Sequence, residues 1–160
     1  MTSGGRWTRS WRRRGFTLAE LVMVCALLVL LASVALPLTK FTVRRSKEMV
    51  LRQELRGMRN AIDEYKRFSD LGLIAVELGT EGYPPDLEAL VEGVDLVGAV
   101  DRRMRFLRRI PVDPMTGEAE WGLRSFQDEP DSSSWGGENV FDVFSESEGV
   151  GMDGRPYSEW

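Results

Sequence analysis

The sequence predicts an α+β fold in which a long N-terminal helix packs against a small antiparallel β-sheet. Three observations lead to this prediction: an uncharged apolar run from Leu21 to Leu38, an amphipathic pattern after it, and two β-like segments near the C-terminus. The chain has 160 residues and a formal net charge of -4. Once a membrane-length segment is set aside, this length leaves room for one small folded domain.

A basic leader precedes the apolar run. Residues 1–15 contain arginines but no acidic residue, and the consecutive arginines at 12–14 run directly into Gly15. Because Lys and Arg flanks resist translocation, we expect residues 1–15 to stay in the cytoplasm. About 20 apolar residues span a bilayer core, so residues 16–38 are predicted to form the transmembrane part of the helix.

Glu20 lies inside the apolar end of this segment, four residues after Phe16. An ionised side chain costs about 2.5 to 3.5 kcal/mol at the centre of a membrane helix, so Glu20 requires a partner. Cleavage between Gly15 and Phe16 would create an α-ammonium group at Phe16, one helical turn away. We therefore expect Glu20 to pair with that group in its own or a neighbouring subunit.

Residues 39–68 are predicted to continue the helix into water. Their apolar residues recur at spacings of three and four, and charged residues occupy the other positions, which is typical of an amphipathic helix covered by a domain. The apolar face consists of Leu51, Leu55, Met58, Ile62 and Tyr65. Pro37 removes one backbone donor and is expected to bend or loosen the helix.

Residues 69–160 are predicted to form a small α+β domain. Asp86 can cap a short helix that follows it, and a second helical stretch is expected at Asp101 to Leu107. Two strand candidates, Ala119 to Phe126 and Asn139 to Ser145, are rich in aromatic and β-branched residues and predict an antiparallel hairpin. Three strands at most are expected.

The N-terminal motif resembles a known signal. Gly15, Phe16, Thr17, Leu18 and Glu20, with a basic leader before them and an apolar helix carrying Pro37 after them, resemble the class III signal of type IV pilins and type II secretion pseudopilins. The resemblance implies that a prepilin peptidase cleaves after Gly15 and N-methylates Phe16. It also implies that Glu20 directs filament assembly, with Pro37 in the assembling helix.

The rest of the chain resembles the major pseudopilin of the type II secretion system in the order of its motifs. These are Ala61 to Tyr65, Tyr83-Pro84, Phe106-Leu107, Pro111 to Pro114 and Gly117. The resemblance implies a single-pass inner-membrane protein whose soluble domain is periplasmic. It implies a homopolymer of like subunits that contacts minor pseudopilins and the inner-membrane assembly platform, and that drives export of proteins through a periplasmic pseudopilus.

Other functions remain open at the level of sequence. One is a type IV pilin subunit for adhesion, motility or DNA uptake, although Cys25 is the only cysteine and no intrachain disulfide can form. Another is a membrane-tethered binding module, for calcium or a cell-wall ligand, that never polymerises. The N-terminus also has the basic front and apolar middle of a secretory signal peptide, with small residues at Ser33 to Ala35 that suit a signal peptidase. A plain single-pass membrane anchor is the remaining alternative.

Composition argues against catalysis and against nucleic-acid binding. The chain has no histidine, its one thiol lies in the apolar run, and it has no phosphate-binding glycine loop, so no enzyme is predicted. From Asp113 onward, Arg124 and Arg155 are the only basic residues in a strongly acidic segment. Such a surface repels phosphate, so nucleic acid is not an expected partner.

The resemblance also implies calcium in the C-terminal loop, because major pseudopilins commonly hold Ca²⁺ there with carboxylates and backbone carbonyls. The closest matches in this chain are Glu148 and Asp153. The paired aspartates that usually precede the terminal tryptophan are missing, and Arg155 and Pro156 take their place. A solvated acidic turn is therefore the alternative. Trp160 is expected to pack against the domain, and no other cofactor is predicted.

Overall fold

The structure is a computed structural model that describes residues 15–98 and 102–160, and it leaves the side chains of residues 34–40 undescribed. The chain divides into two compact units, residues 1–41 and 42–160. The first helix, α1, spans Leu18–Asp70 and covers nearly all of the range 16–68 that the sequence predicts to be helical.

In the first unit, the described part begins at Gly15 and continues as the N-terminal part of α1. Its large apolar side chains, such as those of Leu18, Val22 and Leu30, are exposed. Within the residues that the structure describes, no helix combines the length and the apolar character needed to cross a membrane. The predicted leader lies outside the described residues, apart from Gly15.

In the second unit, one face of α1 forms the centre of the hydrophobic core. The predicted apolar face is buried, which confirms that part of the interpretation: Leu51, Leu55, Met58, Ile62 and Tyr65. Residues from the rest of the unit join the same cluster, and they include Leu90, Trp121, Val140, Val143 and Tyr157. The burial of these side chains together provides the main driving force for folding of the unit.

The second helix, α2, spans Leu87–Glu92 and begins where the sequence predicts. Its N-cap is Asp86, whose side-chain oxygen accepts a hydrogen bond from the Ala89 backbone N–H at 2.7 Å. This bond satisfies a donor that the first helical turn leaves unpaired. Gly93 ends the helix with a φ of 85°, and a Cβ there would collide with the backbone of Met104. Glycine is therefore needed at this turn.

The helix predicted at residues 101–107 is wrong for the part that the structure describes. Strand β1, Val94–Asp95, pairs antiparallel with β2, Arg103–Met104. The backbone N–H groups of Phe106 and Leu107 both donate to the Leu90 carbonyl, each at 2.9 Å. These bonds attach the segment to the end of α2, so its donors serve tertiary contacts instead of a local helix.

The predicted C-terminal hairpin is present in a shorter form. Strand β3, Gly122–Arg124, pairs antiparallel with β4, Asp142–Phe144, in the central parts of both predicted strands. The register places Leu123 opposite Val143. The described residues thus form two small sheets of two strands each. The sequence predicts a single sheet with at most three strands. A 3₁₀ turn at Tyr157–Glu159 follows.

Candidate functional site

The predicted cleavage site lies in an exposed segment just before α1. Gly15, Phe16 and Thr17 precede the helix and form no regular structure, and the Phe16 side chain is 78% exposed. Peptidases act most readily on exposed backbone outside helices and strands. The bond between Gly15 and Phe16 is therefore accessible to an enzyme in the uncleaved chain.

Thr17 caps the N-terminus of α1, and Glu20 lies in its first turn. The Glu20 backbone N–H donates to Thr17 Oγ1 at 3.2 Å, while the Leu21 N–H donates to the Thr17 carbonyl at 3.1 Å. A Thr with a Glu three residues later is the spacing of a capping box, which suits a helix that begins at this point. The Glu20 carboxylate is exposed and makes no hydrogen bond or ion pair with other described residues. It is thus available to a group from another chain.

Pro37 and Cys25 are the two other residues of the predicted membrane segment that the sequence singles out. Pro37 lies within α1, and its side chain is among those left undescribed. Cys25 is a free, exposed cysteine, consistent with the absence of a disulfide.

A buried carboxylate joins α1 to the C-terminal loop. Glu48 Oε1 accepts hydrogen bonds from the Tyr157 hydroxyl and from the Met152 backbone N–H, both at 3.0 Å. Arg44, one turn earlier, places its Nε 3.3 Å from the same oxygen and also donates to the Val150 carbonyl. Arg44 Nε also donates to the Tyr157 hydroxyl at 3.4 Å, and this bond together with the Glu48 charge raises the pKa of Arg44 above its usual value. This guanidinium therefore stays charged.

A second ionic contact joins α1 to β4. Arg59 Nε lies 2.6 Å from Asp142 Oδ1, and its Nη2 donates to the carbonyls of Val143 at 3.0 Å and Trp160 at 2.6 Å. Arg124 approaches the other oxygen of Asp142 at 3.6 Å. The Arg124 side chain is only 11% exposed and that of Arg59 is 35% exposed, so these partly shielded contacts help to fix β4 and the C-terminal turn against the helix.

Trp160 packs against the domain as expected. Its ring lies 5.1 Å from that of Tyr157 in an edge-to-face arrangement, and the Arg52 guanidinium lies 4.1 Å above it. Both geometries are favourable for aromatic rings. The tryptophan therefore covers one end of the core.

The two residues that the resemblance implies for calcium, Glu148 and Asp153, lie in different surroundings. Glu148 is exposed, whereas Asp153 is held by Arg155 Nη2 at 3.0 Å and by Arg52 Nη2 at 3.3 Å. The Arg155 backbone N–H, followed by its guanidinium, lowers the pKa of Asp153. In the described part of the chain, no group of three or more His, Cys, Asp or Glu side chains is arranged to hold a metal ion. The Asp153 carboxylate therefore already pairs with two arginines of its own chain.

Two aspartates with structural roles were not singled out from the sequence. Asp113 is fully buried and accepts hydrogen bonds from the Met115 N–H at 2.7 Å and the Ser145 hydroxyl at 2.5 Å. Asp128 accepts from the backbone N–H groups of Ser125 at 2.7 Å and Gly136 at 3.1 Å. An aspartate at the start of a turn is a recognisable signal, but its distant partner is visible only in the folded chain.

Comparisons with known proteins add no identification. No family model, no curated protein and no solved structure matches this chain.

Proposed function

We propose that this protein is a structural filament subunit, a pseudopilin of a type II secretion system. A prepilin peptidase cleaves it between Gly15 and Phe16 and methylates Phe16. The mature subunits then polymerise into a periplasmic pseudopilus that drives protein export. The observation that carries the proposal is the arrangement Arg-Arg-Arg-Gly-Phe-Thr-Leu-Ala-Glu at residues 12–20, followed directly by an uncharged apolar run.

The geometry of the N-terminus supports this proposal. The cleavage bond is exposed and lies outside α1, while Thr17 already caps the helix that would begin the mature chain. The Glu20 carboxylate has no partner among the described residues of its own chain. A neighbouring Phe16 ammonium would neutralise it and remove the cost of placing a lone charge in an apolar assembly.

The structure of the second unit also supports a subunit role. Residues 42–160 form a compact domain on the C-terminal half of α1, held by a hydrophobic core and by the contacts of Glu48 and Arg59. Such a domain can remain folded while the N-terminal part of α1 changes its surroundings. Transfer from a membrane into a filament requires this independence.

The first test is intact and N-terminal mass spectrometry of the protein recovered from bacterial membranes that contain the prepilin peptidase. We expect a chain that starts at methylated Phe16. A chain that still starts at Met1 would instead indicate a plain membrane tether, and a start at Leu36 would indicate a secreted protein.

A substitution at Glu20 then tests the filament mechanism. Glu20→Gln keeps the size of the side chain but removes its charge, so we expect a processed, stable protein with strongly reduced filament yield. Asp63→Asn, at an exposed position of α1 in the second unit, makes the same change from carboxylate to amide as a control and should assemble normally. Normal assembly of processed Glu20→Gln would show that the ammonium–carboxylate pairing is wrong and would favour a tethered binding module.

A further inference from the structure

An exposed face of α1 forms a groove, in which Arg52 also contacts Asp153 and Trp160 of the second unit. We define the α1 groove by the six residues that line it, a surface hollow of about 550 Å³: Met49, Arg52, Gln53, Arg56, Gly57 and Asn60. All six are exposed and recur at helical spacing on the side of α1 that faces away from the core. An exposed strip with a methionine and arginines has the composition of a protein interface.

The α1 groove continues into a neighbouring cleft through Gly57. A cleft of about 290 Å³ lies between Gly57 and the segment that contains Leu107, Arg109 and Val112. A Cβ at Gly57 would meet no atom within 4 Å, so this part of the helix surface is open. The two hollows together provide room for a loop from another molecule.

The charge of this face is positive and only partly compensated. Arg56 forms a hydrogen bond only to the Arg52 carbonyl, and neither Arg56 nor Arg109 has a carboxylate partner among the described residues. Arg52 forms an ion pair with Asp153, so its charge is partly compensated. Glu54 is the one carboxylate among the residues that line the cleft. The α1 groove is therefore suited to a partner that carries several carboxylates.

The loop between β3 and β4, residues 125–141, has the opposite character. It contains no Lys or Arg. Its exposed acids are Glu129, Asp131 and Glu138, and none of them forms an ion pair with a described residue of the same chain. Two aromatic side chains of the loop are also exposed in part, Phe126 at 55%, with one side of its ring against Tyr83 and Phe141, and Trp135 at 40%.

Hydrogen bonds hold this loop in one conformation. Asp128 accepts from Ser125 and Gly136, at the two sides of the loop, and Trp135 Nε1 donates to the Asn139 carbonyl at 2.8 Å. A loop that is already ordered loses little conformational entropy when it binds. Its exposed aromatic and acidic side chains are thus ready to dock.

From this complementarity we infer that the β3–β4 loop of one subunit docks into the α1 groove of a second copy of this chain. The exposed acids face Arg56 and Arg109, and Trp135 lies against Met49. Each subunit presents both a loop and a groove, so every contact leaves a free loop at one end and a free groove at the other. Such a heterologous contact propagates into a filament instead of closing as a symmetric dimer. The inference rests on the proposed function and assigns the contact surfaces of its filament.

Charge reversal in the full-length, processed protein tests this inference. We expect Arg56→Glu and Glu138→Arg each to lower filament yield by about fivefold, the loss expected when an exposed attraction becomes a repulsion. The variant that carries both reversals should recover most of the yield, because the attractive pair is restored with its signs exchanged. Thermal unfolding of each variant checks that the domain is intact.

Two matched controls carry the same charge changes elsewhere. Lys47→Glu reverses an exposed charge on the opposite face of α1 from Arg56. Glu120→Arg reverses an exposed acid outside the loop. Both should assemble as the unaltered protein does. If the single reversals assemble equally well, or if the double reversal does not recover, the inferred interface is wrong.

Disulfide cross-linking gives an independent measure of the contact. Two differently tagged chains, both carrying Cys25→Ser, are mixed: one has Asn60→Cys in the α1 groove and the other has Glu138→Cys in the loop. In the control, the first chain carries Lys47→Cys in place of Asn60→Cys. A cross-linked heterodimer from the first pair and none from the control is the expected result. A cross-link without filaments would keep the interface and reject the proposed filament function, whereas filaments without a cross-link would reject the interface alone.

Anionic lipid is the competing occupant of the α1 groove. Vesicles of equal parts anionic and zwitterionic phospholipid, mixed with the full-length chain in the same variants, separate the two. If Arg56→Glu abolishes vesicle binding while filament yield stays normal, the α1 groove binds lipid head groups and the inferred contact between subunits is wrong.

Discussion

The hydroxyl of Tyr157 donates a hydrogen bond of 3.0 Å to Oε1 of Glu48, across 109 residues of sequence. Both residues are buried, so the bond forms away from water between the C-terminal 3₁₀ turn and the middle of α1. The same oxygen also accepts a hydrogen bond from the Met152 backbone N–H. Glu48 therefore fastens the end of the chain to the long helix, together with the contacts of Arg59 and Arg52 with Trp160.

Removal of the Tyr157 hydroxyl should destabilise this attachment. We expect Tyr157→Phe to lower the free energy of unfolding by about 1 kcal/mol, because Glu48 Oε1 loses one buried donor but keeps others. Urea unfolding of the full-length chain in detergent, followed by tryptophan fluorescence, measures the change. Tyr83→Phe is the matched control, since the Tyr83 hydroxyl makes no hydrogen bond with other described residues. Equal stability of the two variants would contradict the role of the Tyr157–Glu48 bond.

Asp113 should be more sensitive to substitution than any exposed acid of the same segment. Asp113→Ala leaves the Ser145 hydroxyl and the Met115 N–H without an acceptor in a buried site, so we expect a loss of about 2 to 3 kcal/mol. The exposed Glu120→Ala should change the free energy of unfolding by less than about 0.5 kcal/mol. The same urea titration compares them, and a similar small effect for both would show that the hydrogen bonds of Asp113 with Ser145 and Met115 do not stabilise the domain.

Asp128 predicts a dependence of stability on acid pH. The backbone N–H of Ser125, and then that of Gly136, lowers the pKa of this carboxyl from its usual value of 3.8. Because the pKa is lower in the folded chain than in the unfolded chain, the contribution of Asp128 is complete above the unfolded pKa. It disappears as the pH falls through the lower, folded pKa.

The measurement is the difference in urea midpoint between the unaltered protein and Asp128→Asn as a function of pH. The difference should be constant from neutral pH to about pH 5 and should shrink as the pH falls below about 4. Asp131→Asn, at an exposed residue of the same loop, should show a smaller pH dependence. A difference for Asp128→Asn that stays unchanged down to the lowest pH would exclude stabilisation of the ionised carboxylate.

Two glycine substitutions should have opposite effects on stability. A Cβ at Gly122 would collide with the buried ring of Phe144 across the β3–β4 pair, so we expect Gly122→Ala to cost about 1 to 3 kcal/mol. A Cβ at Gly57, within α1, meets no neighbour, so Gly57→Ala should stabilise the helix by about 0.5 to 1 kcal/mol. Thermal unfolding of both variants tests the pair. Stabilisation by Gly122→Ala would mean that the Phe144 ring can move aside without loss of packing.

Much of the fold could be predicted because its signals are local. The spacing of Leu51, Leu55 and Met58 defines a buried helix face, and Asp86 defines the start of α2. By contrast, β1 and β2 are two residues each and depend on a turn at Gly93 and on the Leu90 carbonyl. A helix was expected at residues 101–107 because local propensity cannot include these distant hydrogen bonds.

In the candidate site, too, some features follow from neighbouring residues and others depend on contacts between distant residues. The cleavage position and Glu20 follow from adjacent residues, and their roles remain predictions. The contacts of Glu48 with Tyr157 and of Arg59 with Asp142 could not be predicted, since each joins residues more than 80 positions apart. The calcium prediction follows from the resemblance and stays a prediction, and the positions of Arg52 and Arg155 beside Asp153 are visible only in the folded chain.

The sequence by itself determined the long helix with its buried face, the cap of α2, the central parts of β3 and β4 and the N-terminal motif from which the function is proposed. These depend on periodicity, capping and short-range charge, which neighbouring residues set directly. Only the tertiary structure decided the β1–β2 pair, the partners of Glu48, Asp113 and Asp153, and the exposure of the α1 groove. The strand pair and the long-range partners require that distant segments meet, whereas the exposure of the α1 groove depends on which face of the helix the core covers. The free energy for both comes from the whole core of the domain.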